Sequence, residues 1–149
     1  MNILQAIEQK AGTEKKQLAI LIDPDKTDEK SLSHTIELSE AAGADMFFVG
    51  GSLLTRDNMS WCIEHLKAST KLPVIIFPGN MLQVIPSADA LLLLSLISGR
   101  NPEMLISNHV VAAPMIRNSG LEVIPTGYIL IESGKITSVL YMSNTLPIP

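Results

Sequence analysis

Five short apolar runs constrain this chain more than anything else in it: QLAILI (17–22), DMFFV (45–49), PVIIF (73–77), ALLLLS (90–95) and LEVIP (121–125). None alternates polar with apolar residues. A strand with one wet face alternates, whereas a strand buried on both faces reads as a continuous greasy run, the pattern of parallel sheets covered by helices. Helical patterns fill the gaps. Residues 28–42 start at Thr27/Asp28, place Leu32, Ile36 and Leu38 inward and stop at Gly43. Residues 56–68 carry Met59, Ile63 and Leu66 at helical spacing. Residues 102–118 offer Asn101 as cap, Pro102 at the first position and Gly120 as stop, with Leu105, Ala112 and Ile116 as a buried stripe flanked by Met104, Val111 and Met115.

The order is an α/β alternation with right-handed crossovers and a parallel sheet. One interval is irregular: PGNMLQVIPSAD (78–89) has room for little more than a turn of helix. Beyond it, TGYILIESGKITSVLYMS (126–143) reads as a hairpin with Gly134 in its turn. Two architectures fit. Five or six parallel strands make a complete small doubly wound sheet, or they make the first part of a (β/α)8 barrel, which needs about 250 residues. At 149 residues the chain suits a single domain under either.

Composition narrows the function. Apolar residues are 46%, charged residues 17%, and mean hydropathy is +0.28, as in a folded protein with a large interior. A net charge of −4 without a Lys/Arg cluster argues against nucleic acid. The single cysteine, Cys62, cannot form an internal disulfide and suits a reducing, cytoplasmic setting. The greasiest stretch, ADALLLLSLISG (88–99), is too short to span a bilayer, and the N-terminus lacks a signal-peptide core.

Three features follow strands directly: Asp23 and Asp25 after the first, Gly50-Gly51-Ser52 after the second, and FPGN (77–80) after the third. The carboxyl ends of parallel strands are where α/β folds bind ligands. A carboxylate near two glycines and a hydroxyl suits a hydrated divalent cation holding a phosphate, because Mg²⁺ takes one or two protein oxygens and leaves the rest to water and phosphate. Gly50 and Gly51 would let backbone approach a ligand. Spacing alone equally allows a helix cap and a plain strand-to-helix turn. No phosphate-binding glycine motif follows the first strand, and no aspartate ends the third. His34, His65 and His109 lack ligand spacing, and Cys62 reads as packing.

Taken in order, LIDPDK, FFVGGS, PVIIFPGN, ALLLLSLISGRNPEMLI and EVIPTGYILIESGKITSVLYMSNTLPIP closely resemble the geranylgeranylglyceryl phosphate synthase family, its second group in particular, from about residue 17 onward. The resemblance implies an incomplete TIM (β/α)8-type barrel of five to six parallel strands. It implies a prenyltransferase of ether phospholipid biosynthesis, which joins geranylgeranyl diphosphate to sn-glycerol 1-phosphate, and homo-oligomers. It implies Mg²⁺ held by Asp23 and Ser52, with Gly50, Gly51 and Asn80 near substrate and Asp25 left to the turn or to the cap of the next helix. In one branch a lysine two residues before the aspartate reaches the glycerol phosphate; Leu21 stands there. Family members continue past SNTLPIP into glycine-rich phosphate-binding loops, so the general base is expected beyond Pro149, and the isolated chain is expected to be a poor catalyst.

Overall fold

In the computed structural model, which describes residues 2–52, 54–80 and 83–149, five strands form one parallel sheet in the order β1-β2-β3-β4-β5. They are β1 (Ala19–Ile22), β2 (Met46–Val49), β3 (Val74–Ile76), β4 (Ala90–Leu96) and β5 (Glu122–Tyr128). The helices are α1 (Ile3–Gly12), α2 (Glu29–Ala41), α3 (Met59–Ser69), α4 (Ser107–Ser119) and α5 (Ser138–Ser143), with 3₁₀ turns at Pro24–Lys26 and Pro102–Met104. Strand order decides between the two architectures. A doubly wound sheet reverses its order at a switch point and carries helices on both faces. Here spatial order equals chain order without reversal, so right-handed crossovers put α2, α3 and α4 on one face. This is the arc of a barrel.

The two faces confirm it. Ile22, Val49, Ile76 and Leu91 stand in register across four strands and pack against Leu32 and Ile36 of α2, Met59, Cys62, Ile63 and Leu66 of α3, and Ala112 and Ile116 of α4. The opposite face, carrying Met46, Ile75, Ala90, Leu92 and Ile124, forms a separate cluster. It meets α1 through Ile3, Leu4 and Ile7.

No element was expected at residues 3–12. There Asn2 and Gln5 cap each other's backbone, and the Glu122 carboxylate accepts from Ile3 N at 2.7 Å and Leu4 N at 2.8 Å. Those N–H groups are the ones a helix start leaves without partners, and an anion suits that end. Glu122 begins β5, so α1 lies at the amino ends of the strands and leaves their carboxyl ends open.

Asp28 caps α2 through Ser31 N at 2.8 Å, and Gly43 follows its end with φ +75°, as the sequence predicts. Three expectations need correction. Leu38 points outward and is 58% exposed, while Ser39 takes the inward position by bonding Thr35 O at 2.6 Å. The helix expected from Pro102 breaks: Leu105 N and Ile106 N both reach Pro102 O, closing a tight turn, and Ile106 leaves helical geometry at φ −138°. The restart turns the stripe, so that Ala112 and Ile116 are buried while Val111 and Met115 are exposed. The hairpin does not form. Gly134 does sit in a turn at φ +70°, but residues 138–143 coil into α5, which puts Val139 and Met142 on one face, and Ile131 bridges Ile148 in parallel.

Candidate functional site

The three strand-end loops are fastened to one another. Backbone crowding dictates their glycines: a Cβ on Gly50 would lie 1.9 Å from Phe77 O, and one on Gly79 would lie 2.1 Å from Gly51 O. At Gly50, then, the close approach is made by the protein's own third loop. Gln83, 5% exposed, accepts from Gly79 N at 2.8 Å and donates to Gly51 O at 3.4 Å. The first and second loops are joined by Asp25, whose carboxylate accepts from Thr55 N (2.6 Å), Thr55 Oγ1 (2.8 Å) and Arg56 N (3.2 Å). Those donors, Thr55 N–H first, hold the Asp25 carboxyl below its ordinary range. The sequence reading left Asp25 to the turn or the helix cap. It lies in the turn, Asp28 is the cap, and the reach across to Thr55 was not foreseen.

Asp23 ends β1 and caps the Pro24–Lys26 turn through Asp25 N at 3.1 Å, while Oδ2 pairs with Lys26 Nζ at 2.7 Å. A Cβ on Gly51 would stand 3.3 Å from Asp23 Oδ1, so the carboxylate lies against the second loop. Gly50, Gly51 and Ser52 line a cleft over the carboxyl ends of the strands, with Phe77, Tyr128 and Met104 among its other walls. Phe77 and Tyr128 meet edge to face at 6.1 Å, and burial pushes the Tyr128 hydroxyl up. Asn80, the remaining candidate, lines two neighbouring cavities: a polar one with Thr55, Arg56 and Gln83, and an apolar groove.

That groove runs between β4 and α4, walled by Leu91 to Leu94, Ala112 and Ile116. It shares Pro78, Gly79, Leu94 and Met104 with the cleft, so the two lie side by side. Its origin is a length mismatch. β3 has three residues and β4 seven, and β3 pairs only as far as Leu91. Beyond that point the Leu94 carbonyl is met by His109 Nε2 at 2.7 Å, so that nitrogen carries the proton. This bond holds His109 against β4. Met81 and Leu82 of the third crossover lie outside the described residues. Sequence reasoning missed Gln83 and Lys26. A lone amide inside the greasy run MLQVIP, and a lysine three residues after Asp23, were the available signals.

Asp23 and Ser52 offer a carboxylate and a hydroxyl, hard oxygen donors that match Mg²⁺ in kind. Among the described residues no three His, Cys, Asp or Glu side chains cluster as a metal cage, so any ion here would take most of its ligands from water and phosphate.

Residues 11–148 match the PcrB family. The chain is similar to the geranylgeranylglyceryl phosphate synthase of Chitinophaga pinensis, 49% identical over 134 residues, covering 90% of this chain and 53% of that protein. Its likeness to the same-named protein of Zunongwangia profunda is 48% over 147 residues, 98% of this chain and 62% of the relative. Among solved structures, (S)-3-O-geranylgeranylglyceryl phosphate synthase of Thermoplasma acidophilum, crystallised with its substrate sn-glycerol-1-phosphate, superposes with a TM-score of 0.88 at 32% identity, covering all of this chain and 60% of that one. The chain thus spans between about half and six-tenths of the length of these proteins.

Proposed function

Because the chain belongs to the PcrB family, we propose that it carries the diphosphate-binding side of a prenyltransferase that links a prenyl diphosphate, geranylgeranyl diphosphate by its resemblance, to sn-glycerol 1-phosphate through an ether. The observation that supports this reading is that the cleft beside Asp23 and Ser52 adjoins the apolar groove beneath α4, with four lining residues in common. An allylic diphosphate has a highly charged head of up to three negative charges and a long hydrocarbon tail, and the cleft and the groove beside it offer a place for each. Burying the tail against Leu91 to Leu94 gains about 0.8 kcal/mol per CH₂, so the groove supplies binding while the loops orient the head.

Asp23 and Ser52 would hold Mg²⁺, which when bound offsets the negative charge that builds on the departing diphosphate. The fastened loops set where Asp23 and Ser52 sit. Gln83 and Asp25 fix that geometry before any ligand arrives, so little ordering is left for the reaction itself. Gly50 and Gly51 present backbone beside the head group, Asn80 borders the groove where the tail enters, and Phe77 and Tyr128 shield the reacting carbon from water. The glycerol phosphate loops and the general base implied by the resemblance are not among these residues, and the chain itself is the amino-terminal portion of such a barrel.

Two coarser readings go with this one. No helix among the described residues is long and apolar enough to cross a membrane, and we place the protein in the cytoplasm, where a buried unpaired Cys62 is at home. Val110, Val111 and Met115 of α4, with Ile106 just before it, are exposed, and Arg117 is the only charge on the helix, which supports a homo-oligomer.

The test is Asp23→Asn in a protein carrying this chain together with the remaining strands. Transfer of a labelled prenyl group to sn-glycerol 1-phosphate should fall by roughly 100-fold or more, the scale on which a preorganised charge acts. Turnover like that of the unaltered enzyme would overturn the assignment of Asp23.

A further inference from the structure

Asp23 has two carboxylate oxygens, and both are engaged. Oδ1 accepts from Asp25 N at 3.1 Å, a bond that shapes the turn, and Oδ2 meets Lys26 Nζ at 2.7 Å. The partners differ in freedom: the Asp23 side chain is 29% exposed and set against Gly51, whereas Lys26 is 81% exposed on a flexible stem. Oδ1 is also the oxygen nearest Gly51, and a divalent cation on either oxygen of this carboxylate would stand close to the ammonium, which it repels strongly.

We propose that Lys26 is an exchangeable counter-ion: its ammonium occupies Asp23 until a divalent cation displaces it, and then turns to the diphosphate that the cation holds. This rests on the metal reading above. The nearest other carboxylate, Asp25, already accepts three hydrogen bonds from Thr55 and Arg56, so it competes poorly for the freed ammonium. The cleft is lined by Gly51 and Ser52, and the Asp23 carboxylate lies against Gly51, so an anion there stands on the side of the loop that Asp23 borders. Lys26 thereby keeps the carboxylate neutralised while the site is empty and adds a positive charge to the anion once it is filled.

The proposal makes two affinities move in opposite directions. Removing the ammonium removes a competitor for the metal and a partner for the phosphate. Free Mn²⁺ counted by its paramagnetic resonance, and inorganic pyrophosphate titrated calorimetrically at saturating Mn²⁺, measure the two without catalysis. Lys26→Met should tighten Mn²⁺ by about 1.4- to 5-fold, the range over which an exposed pair can compete, and weaken pyrophosphate by roughly threefold or more. Lys26→Arg, which keeps the charge, should restore pyrophosphate binding. Because Lys26 is exposed, both variants should melt like the unaltered protein. If the unaltered protein binds Mn²⁺ and Asp23→Asn does not, yet Lys26→Met binds Mn²⁺ no more tightly, the counter-ion role is overturned and the metal reading survives. If the unaltered protein binds no Mn²⁺ with pyrophosphate present, the metal reading itself is overturned, and the proposal with it.

Discussion

The loops after β2 and β3, to which the loop after β1 is tied, and the segment from Ile129 to Pro149 border the same cleft, but they are held in opposite ways. In the first region backbone meets backbone at Gly50 and Gly79, and buried or half-buried polar groups tie one loop to the next through Gln83 and Asp25. In the second, Ser143 and Leu130 are buried, while Ile131, Ile136, Tyr141 and Leu146 are 68–86% exposed. A few side-chain bonds, such as Asn101 Nδ2 to Ser143 O at 2.7 Å and Leu130 N to Ser98 Oγ at 3.0 Å, anchor it. Geometry that chemistry depends on is built where the backbone has no slack. Walls that only exclude water tolerate looser attachment.

The contrast can be broken most severely at Gly50. Gly50→Ala puts a methyl carbon into the Phe77 carbonyl, and main chain cannot move aside as a side-chain tip would. The expected cost is on the order of 3 kcal/mol, at the upper end for overpacking, or roughly 10 °C in melting temperature. An unchanged melt would show that the loops yield and would dissolve the contrast. Gln83→Leu should come next. It leaves Gly79 N–H and Gly51 O without their partner in a buried place, costing about 1–3 kcal/mol, and denaturant titration would measure it. The smallest effect belongs to the other region: Leu146→Ser, at a side chain 86% exposed, should shift stability by no more than about 0.5 kcal/mol. A cost above 1 kcal/mol in the same titration would mean that the second region is packed after all.

The sequence was clearest where burial on both faces leaves a mark. All five strands fall within a few residues of the greasy runs, so Asp23 directly follows β1 and the Gly-Gly-Ser loop directly follows β2, as the runs predict. What it could not supply was rotation and choice. Val111 and Met115 fit the period of a helix starting at Pro102, but the break at Ile106 reset its phase, and a phase error turns a core face outward. Residues 126–143 mix β-branched residues with two glycines, which suits a hairpin. Yet a hairpin leaves half of its backbone groups on its outer edges without a protein partner, whereas a short helix supplies its own hydrogen bonds. Alternation separated the barrel from the doubly wound sheet no better, because strand order is a property of crossovers and not of strands. Lys26 and Gln83 escaped because their roles are contacts across loops, and no spacing rule encodes those.

β3 is the shortest strand of the sheet, and its brevity has a consequence for traffic. A parallel sheet bent into an arc is ordinarily a continuous wall, so whatever enters at the mouth must stay at the mouth. Where β3 stops and β4 continues, the His109 imidazole and the leucines of β4 line a groove beside the wall. On the reading proposed above, a guest keeps its charged end at the rim and lays its oily end along that groove, away from the barrel's axis. On that reading the length of guest accepted depends on what borders the groove, and not on the girth of the barrel.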